Sequence, residues 1–173
     1  MKKLLTLAAC IFMVGCTSLP ALDNPDTVVL QNSDIENLIM ANLDKYFNDT
    51  QDKYYHALRP EVYSEIIHLW KNRTNPRAYV YPSNDSDDIA DRFVRFVKDL
   101  GHDFFKLNIP VRAMDYNYLN EDNEIIRHRL ALIFYFEYEG VGGRRIGIMY
   151  YDPTTEKYME LARPKKLLSV KIY

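Results

Sequence analysis

The side chains of this chain that could do covalent or acid–base chemistry are few. Thiols occur twice, at Cys10 and Cys16, both near an apolar run at the start. Four histidines are scattered at 56, 68, 102 and 128, and no two have the spacing of zinc ligands on one helix or turn. His128 is set apart by its context, the stretch "EIIRHRLALIFYFEYE" from Glu124 to Glu139. In a strand, His128 shares one side with Ile126, Leu130, Leu132, Phe134, Phe136 and Tyr138; Arg127, Arg129, Ala131, Ile133, Tyr135 and Glu137 take the other. An imidazole beside a carboxylate can take and return a proton near neutral pH, which makes His128 the candidate acid or base. A core histidine with one backbone partner is the commoner use of such a position, so no catalytic residue is assigned.

The apolar even side should meet the helices. The odd side offers a different chemistry, guanidinium and phenol groups of the kind enriched at protein interfaces. With Tyr151 from a neighbouring strand, Arg127, Arg129 and Tyr135 form a candidate partner-binding face; the blander reading is the wet side of an antiparallel sheet. Other motifs fall away. "EGVGGRR" opens a strand, not a helix, so it reads as a hairpin turn and not a phosphate loop. Asp85, Asp87 and Asp88 lack the turn glycine and distal Glu of a calcium loop, and suit the positive end of a helix dipole instead. No nucleophile elbow appears. Neither a metal nor a cofactor is expected.

Lys2 and Lys3 precede an apolar run from Leu4 to Gly15, and Thr17 and Ser18 follow it. A helix of that length rises about 18 Å, while about 20 residues are needed to span a bilayer, so the run reads as an export signal. "LAACIFMVGC" resembles the lipobox of bacterial lipoproteins, in which an aliphatic residue, a small or branched one and Gly, Ala or Ser precede a modified Cys. Leu7-Ala8-Ala9-Cys10 fits that pattern better than Met13-Val14-Gly15-Cys16. Length reverses the ranking, because cutting before Cys10 leaves an apolar core under the ~7 residues a signal needs. The resemblance implies a diacylglyceryl group on Cys16, cleavage after Gly15 and acylation of the new amine by a palmitate-type chain. Several chains, at ~0.8 kcal/mol per buried methylene, hold a protein at a membrane far better than one. Thr17, where an Asp would favour retention in the inner membrane, implies the outer membrane, facing the periplasm. Ordinary secretion, with a cut near Ser18 or Ala21, is the alternative.

Removing residues 1–15 turns 22 basic residues into 20 against 24 acidic ones, a formal charge of −4. That is no electrostatic footprint for nucleic acid. With Cys16 lipidated, no thiol remains for a disulfide, so the domain must be stabilised by its own core. Residues 16–33, with Pro20 and Pro25, read as lipidated cysteine and tether; 34–173 form a single domain.

Within that domain, apolar residues at helical spacing predict a helix over 34–48, opened by a Ser33/Glu36 capping box, a second from Pro60 to about Asn72, and a third ending at Gly101. A short extended piece is expected at 78–81, and Val28 to Leu30 could form an edge strand. From Asn108 onward the period changes to two, broken by "NEDN", "GVGG", "PTTE" and "RPKK". Short connections exclude parallel crossovers. The expected fold is therefore α+β: two to three N-terminal helices on an antiparallel four- to five-stranded meander. This order resembles the NTF2-like folds and, less closely, the cystatin-like ones, which implies a cone-shaped pocket between helices and sheet.

These readings converge on a lipid-anchored outer-membrane lipoprotein that is not an enzyme and binds another envelope protein as an assembly accessory. Its expected partners are the bilayer, through acylated Cys16, and that envelope protein. An inhibitor or immunity lipoprotein acting against a toxin or hydrolase is one alternative. A small pocket enzyme of NTF2-like type, using His128, is the other.

Overall fold

The structure is a computed structural model that describes residues 25–42, 54–73, 86–119, 122–159, 161 and 166–173. The expected export segment, Cys16, the first half of the expected tether, the extended piece expected at 78–81 and the end of the first expected helix lie outside the described residues. The architecture is α+β, with helices ahead of most of a mixed sheet, consistent with the NTF2-like class. Strand β1 (Thr27–Gln31) leads into α1 (Asn32–Asn42), and β2 (Tyr54–Leu58) into α2 (Pro60–Arg73). Helix α3 (Ser86–Leu100) ends in a wide π turn over Gly101–Phe105. The strands β3 (Val111–Leu119), β4 (Ile125–Glu139), β5 (Gly143–Asp152), β6 (Lys157–Met159) and β7 (Lys166–Ile172) follow. The sheet has seven strands among the described residues, more than expected, because β1 and β2, which flank α1, join it.

Capping sets where α1 starts, two residues before the expected helix. The Asp34 carboxylate accepts the Gln31 amide at 2.8 Å, and the Asn32 side chain donates to Glu36 at 2.9 Å. An acidic side chain reaching back to the residue that caps the helix is one half of a capping box. Helix α3 has Asp87 and Asp88 in its first turn and Lys98 in its last, each complementing the dipole. It stops where a Cβ on Gly101 would lie 2.8 Å from the Leu107 carbonyl oxygen, an approach that only glycine permits.

β4 organises the sheet. Its first half pairs antiparallel with β3, from Leu119↔Ile125 to Val111↔Ile133, and its second half pairs on the opposite edge with β5, from Ala131↔Tyr151 to Glu139↔Gly143. Where β3 leaves, β2 takes over that edge in parallel at Leu58↔Tyr135, and β1 pairs antiparallel with β2. β7 returns to pair with β3, so the C-terminal strands are not a simple meander. The parallel bridge corrects the expectation of a purely antiparallel sheet: β2 comes from between α1 and α2, outside the reach of the short-connection argument.

Both faces of β4 are covered. Ala131 and Ile133 in the odd row pack with Val62, Ile66, Trp70, Phe93 and Val97 of α2 and α3. Leu130, Leu132, Phe134 and Phe136 in the even row pack with Ile35 and Ile39 of α1 and with Leu30, Tyr55 and Val170. The expectation that only the even row meets helices is therefore corrected: α2 and α3 lie on the odd row. Trp70 and Phe93 meet edge to face at 5.6 Å, and Phe93 tilts onto Tyr151 at 4.9 Å, packing rings between helices and sheet.

Phe93 sits between the two helices and the sheet at 1% exposure. Phe93→Ala is expected to cost about 3–5 kcal/mol, read as a lower midpoint in urea at unchanged m-value. A smaller loss of about 1–3 kcal/mol is expected for Gly147→Val, because a Cβ there would lie 2.5 Å from the Tyr135 ring.

Candidate functional site

Near the connected ends of β3 and β4 the odd row turns polar, with Asp115 beside Arg129 and Asn117 beside Arg127. The first turns of α3 lie above, with Asp87 and Asp91 four residues apart on one stripe. Arg129 donates to both oxygens of Asp115, at 2.5 and 3.1 Å, and to Asp91 at 2.9 Å, while Asp87 stands 4.0 Å away. The Tyr173 hydroxyl donates to Asp115 at 2.8 Å, and its ring lies 5.0 Å from the Arg129 guanidinium and 4.5 Å from the Lys171 ammonium.

These contacts tune the charges. Hydrogen bonding to Asp115 pushes the Arg129 pKa up against the effect of burial. Burial raises Asp115, but bonds from Arg129 and Tyr173 outweigh it and leave the carboxyl below its ordinary value. For Asp91 burial wins, and its pKa is raised despite Arg129. Three carboxylates share one guanidinium, which is why a charged row can lie under a helix.

Beside this network is a polar cavity of about 330 Å³ lined by Asp87, Asp115, Asn117, Arg127 and His128. Arg127 is exposed and has no ion-pair partner among the described residues. His128 belongs to the other row, where Nε2 lies 3.1 Å from Oδ2 of Asp152. Asp152 is 1% exposed and also accepts the Thr154 amide at 2.8 Å and the Thr155 hydroxyl at 2.6 Å, closing the β5–β6 turn. Burial raises the Asp152 pKa, but the bonds from His128, Thr155 and Thr154 prevail and hold it at about 2. His128 is thus a partly exposed imidazole oriented by a buried carboxylate, an arrangement that can position a base. Tyr116 stands opposite it across the strands, and its pKa, like that of Tyr150 at about 12, is raised by burial.

The four residues expected to form a partner-binding face are not one surface. Arg127 and Arg129 are neighbours at the polar cavity, one exposed and one tied to Asp115 and Asp91. Tyr135 is half-buried with its ring against Gly147. Tyr151 is 1% exposed between Phe93 and Tyr158. The physical reason is the helical cover on the odd row, which turns its middle into core. His56, His68 and His102 lie apart: the His56 amide donates to Asn108, His68 meets Asn72, and His102 meets Asp103. Among the described residues no group of three side chains could hold a metal.

An apolar surface that the sequence did not reveal lies at the other edge. β6 covers only residues 150–152 of β5; from Gly143 to Met149 the outer edge has no partner strand among the described residues. A groove of about 560 Å³ opens there, lined by Pro60, Ser64, Ile148, Met149, Tyr150, Tyr158, Met159 and Leu161. Tyr158 and Met159 are 51% and 37% exposed. A strand between "PTTE" and "RPKK" was expected, but its alternation does not show that it pairs with only residues 150–152 of β5.

No protein-family model matches the chain, and no curated protein does. Eight chains of solved structure match it. One, described as the PSL1a-E64 complex, is 15% identical with a TM-score of 0.55, over 83% of this chain and 50% of that one. The chain thus spans half the length of that protein, and the likeness is one of fold.

Asp152 is depressed in the folded protein, so its stabilisation is fully present above about pH 4 and is lost as pH falls through about 2. The shift corresponds to roughly 2 kcal/mol. Asp152→Asn should lower stability by about that amount at neutral pH and flatten the loss between about pH 4 and 2. Urea titrations across that range check it; curves that stay parallel to the parent's would assign the acid sensitivity elsewhere.

Proposed function

We propose that the protein is a lipid-anchored outer-membrane lipoprotein, held by acylated Cys16 and facing the periplasm, that binds an envelope protein as an accessory of its assembly. The anchor rests on the apolar run from Leu4 to Gly15 and on Cys16 behind it. No helix among the described residues is long and apolar enough to cross a membrane. Partner binding rests on one observation, the open outer edge of β5 beside an apolar groove. An unpaired strand edge presents amide and carbonyl groups to a matching extended segment, and adjoining pockets select its side chains. Met149, Tyr158 and Met159 are the types that such contacts favour.

A second reading keeps catalysis open. The His128–Asp152 pair has the minimum parts of a base and its orienting carboxylate, and His128 lines the polar cavity. Inhibition of a toxin or hydrolase would use the same open edge with a different partner.

A photo-crosslinking residue at Met159 in intact cells is expected to capture a discrete envelope protein, whereas the same residue at exposed Ile125 should not. Equal labelling at both positions, or none at 159, would remove the edge from the binding surface. Cys16→Ala should abolish incorporation of labelled palmitate and release the protein from the membrane fraction. An unchanged fractionation would dismiss the anchor.

A further inference from the structure

The β4–β5 hairpin ends in a turn at Gly140–Gly142, with φ of 60° and 83° at its two glycines and Val141 between them. Val141 is the most exposed large apolar residue described, at 109%. Behind it Tyr138 is 52% exposed, with the Arg144 guanidinium 5.8 Å from its ring, and Arg145 pairs with Glu137 at 2.8 Å. The tip is therefore an apolar point backed by an amphipathic phenol and a guanidinium. Rings and long cationic side chains of this kind settle at headgroup depth while an apolar residue reaches below.

The place of the tip in the fold gives it an occupant. The Tyr138 hydroxyl donates to Asp26, the residue just ahead of β1, so the chain enters the domain at the hairpin tip. Topology agrees: β2 runs parallel to β4, towards the tip, and β1 runs antiparallel to β2, so β1 starts at the tip end. Asp26 is ten residues along from Cys16, a reach of at most about 36 Å. A tether that short keeps a weakly binding tip at a local concentration on the order of millimolar.

From these observations we infer that the tip of the β4–β5 hairpin is a membrane-contact element: Val141 enters the acyl boundary of the phospholipid surface that carries the anchor, and Tyr138 and Arg144 lie among the headgroups. The inference rests on the anchor reading. Arg145 faces Glu137 and is held also by the charge of nearby Glu139, while Arg144 faces Tyr138. Two carboxylates thus balance the two guanidinium groups, so the contact is driven by apolar insertion and requires no excess of anionic lipid. It also sets the orientation, with the polar cavity at the far end of β4 turned away from the bilayer and the β5–β6 groove part-way between.

The test uses the full lipidated chain, whose mature form has Cys16 blocked by acylation, with an environment-sensitive fluorophore on Val141→Cys. A second preparation carries the label on Ile125→Cys, at the opposite end of β4 and about 50 Å from the tip. Both are reconstituted into vesicles of phosphatidylcholine and phosphatidylglycerol. Several-fold brighter emission at 141 on vesicle binding is expected, with quenching by nitroxide-labelled lipid, while 125 responds to neither. Protein that floats with vesicles but leaves 141 unquenched would overturn the tip contact and leave the anchor standing. Protein that does not float would overturn the anchor, and this inference with it.

Discussion

The rest of the fold depends on β4 being covered on both faces and paired along both edges. Its middle, Leu130 to Phe134, is buried in both rows, so the strand needs helices above and a second apolar layer below. Its edges are satisfied piecewise, by β3 and then β2 on one side and by β5 on the other. This arrangement dictates where polar chemistry can occur. At the buried middle a charge is costly, so on β4 itself the ionic network and the His128–Asp152 pair lie at one end and the arginine-bearing hairpin at the other. Arg112 of β3, buried opposite Leu132, is held there by donating to the Tyr55 hydroxyl at 3.0 Å.

The helices and C-terminal strands were legible because their signals are local. Apolar spacing, Pro60 at a first helical turn and Gly101 at a stop each act within a few residues. Of the two early strands, β1 was legible only as a possible edge strand at Val28 to Leu30 and β2 not at all, since five-residue segments such as "YYHAL" carry no decisive period and are held by pairing with β4, far along the chain. The face assignment failed for a related reason. Arg127 and Arg129 mark their row as wet only if nothing neutralises them, and the Asp91 and Asp115 that neutralise Arg129 are distant in sequence.

The same limit governs the candidate site. His128 was visible as an imidazole among apolar neighbours, but its partner Asp152 belongs to a "DPTT" turn whose role as an orienting carboxylate appears only when β5 folds back beside β4. Three bonds then hold that carboxylate ionised against its burial. Tyr151 shows the converse. Its type suits a surface, yet pairing with Ala131 places its ring between Phe93 and Tyr158, where it contributes packing.

The way β1 joins the sheet has a mechanical consequence. β1 enters at Thr27 beside the hairpin tip and runs away from it, with five residues aligned antiparallel to Tyr54–Leu58. A pull on the chain ahead of Thr27 therefore acts along the strand axis. It loads the ladder in shear, all its rungs resisting together, and does not peel them open one at a time as a sideways pull would. A domain tugged from this end would keep its shape under drag that would strip an edge strand loaded crosswise.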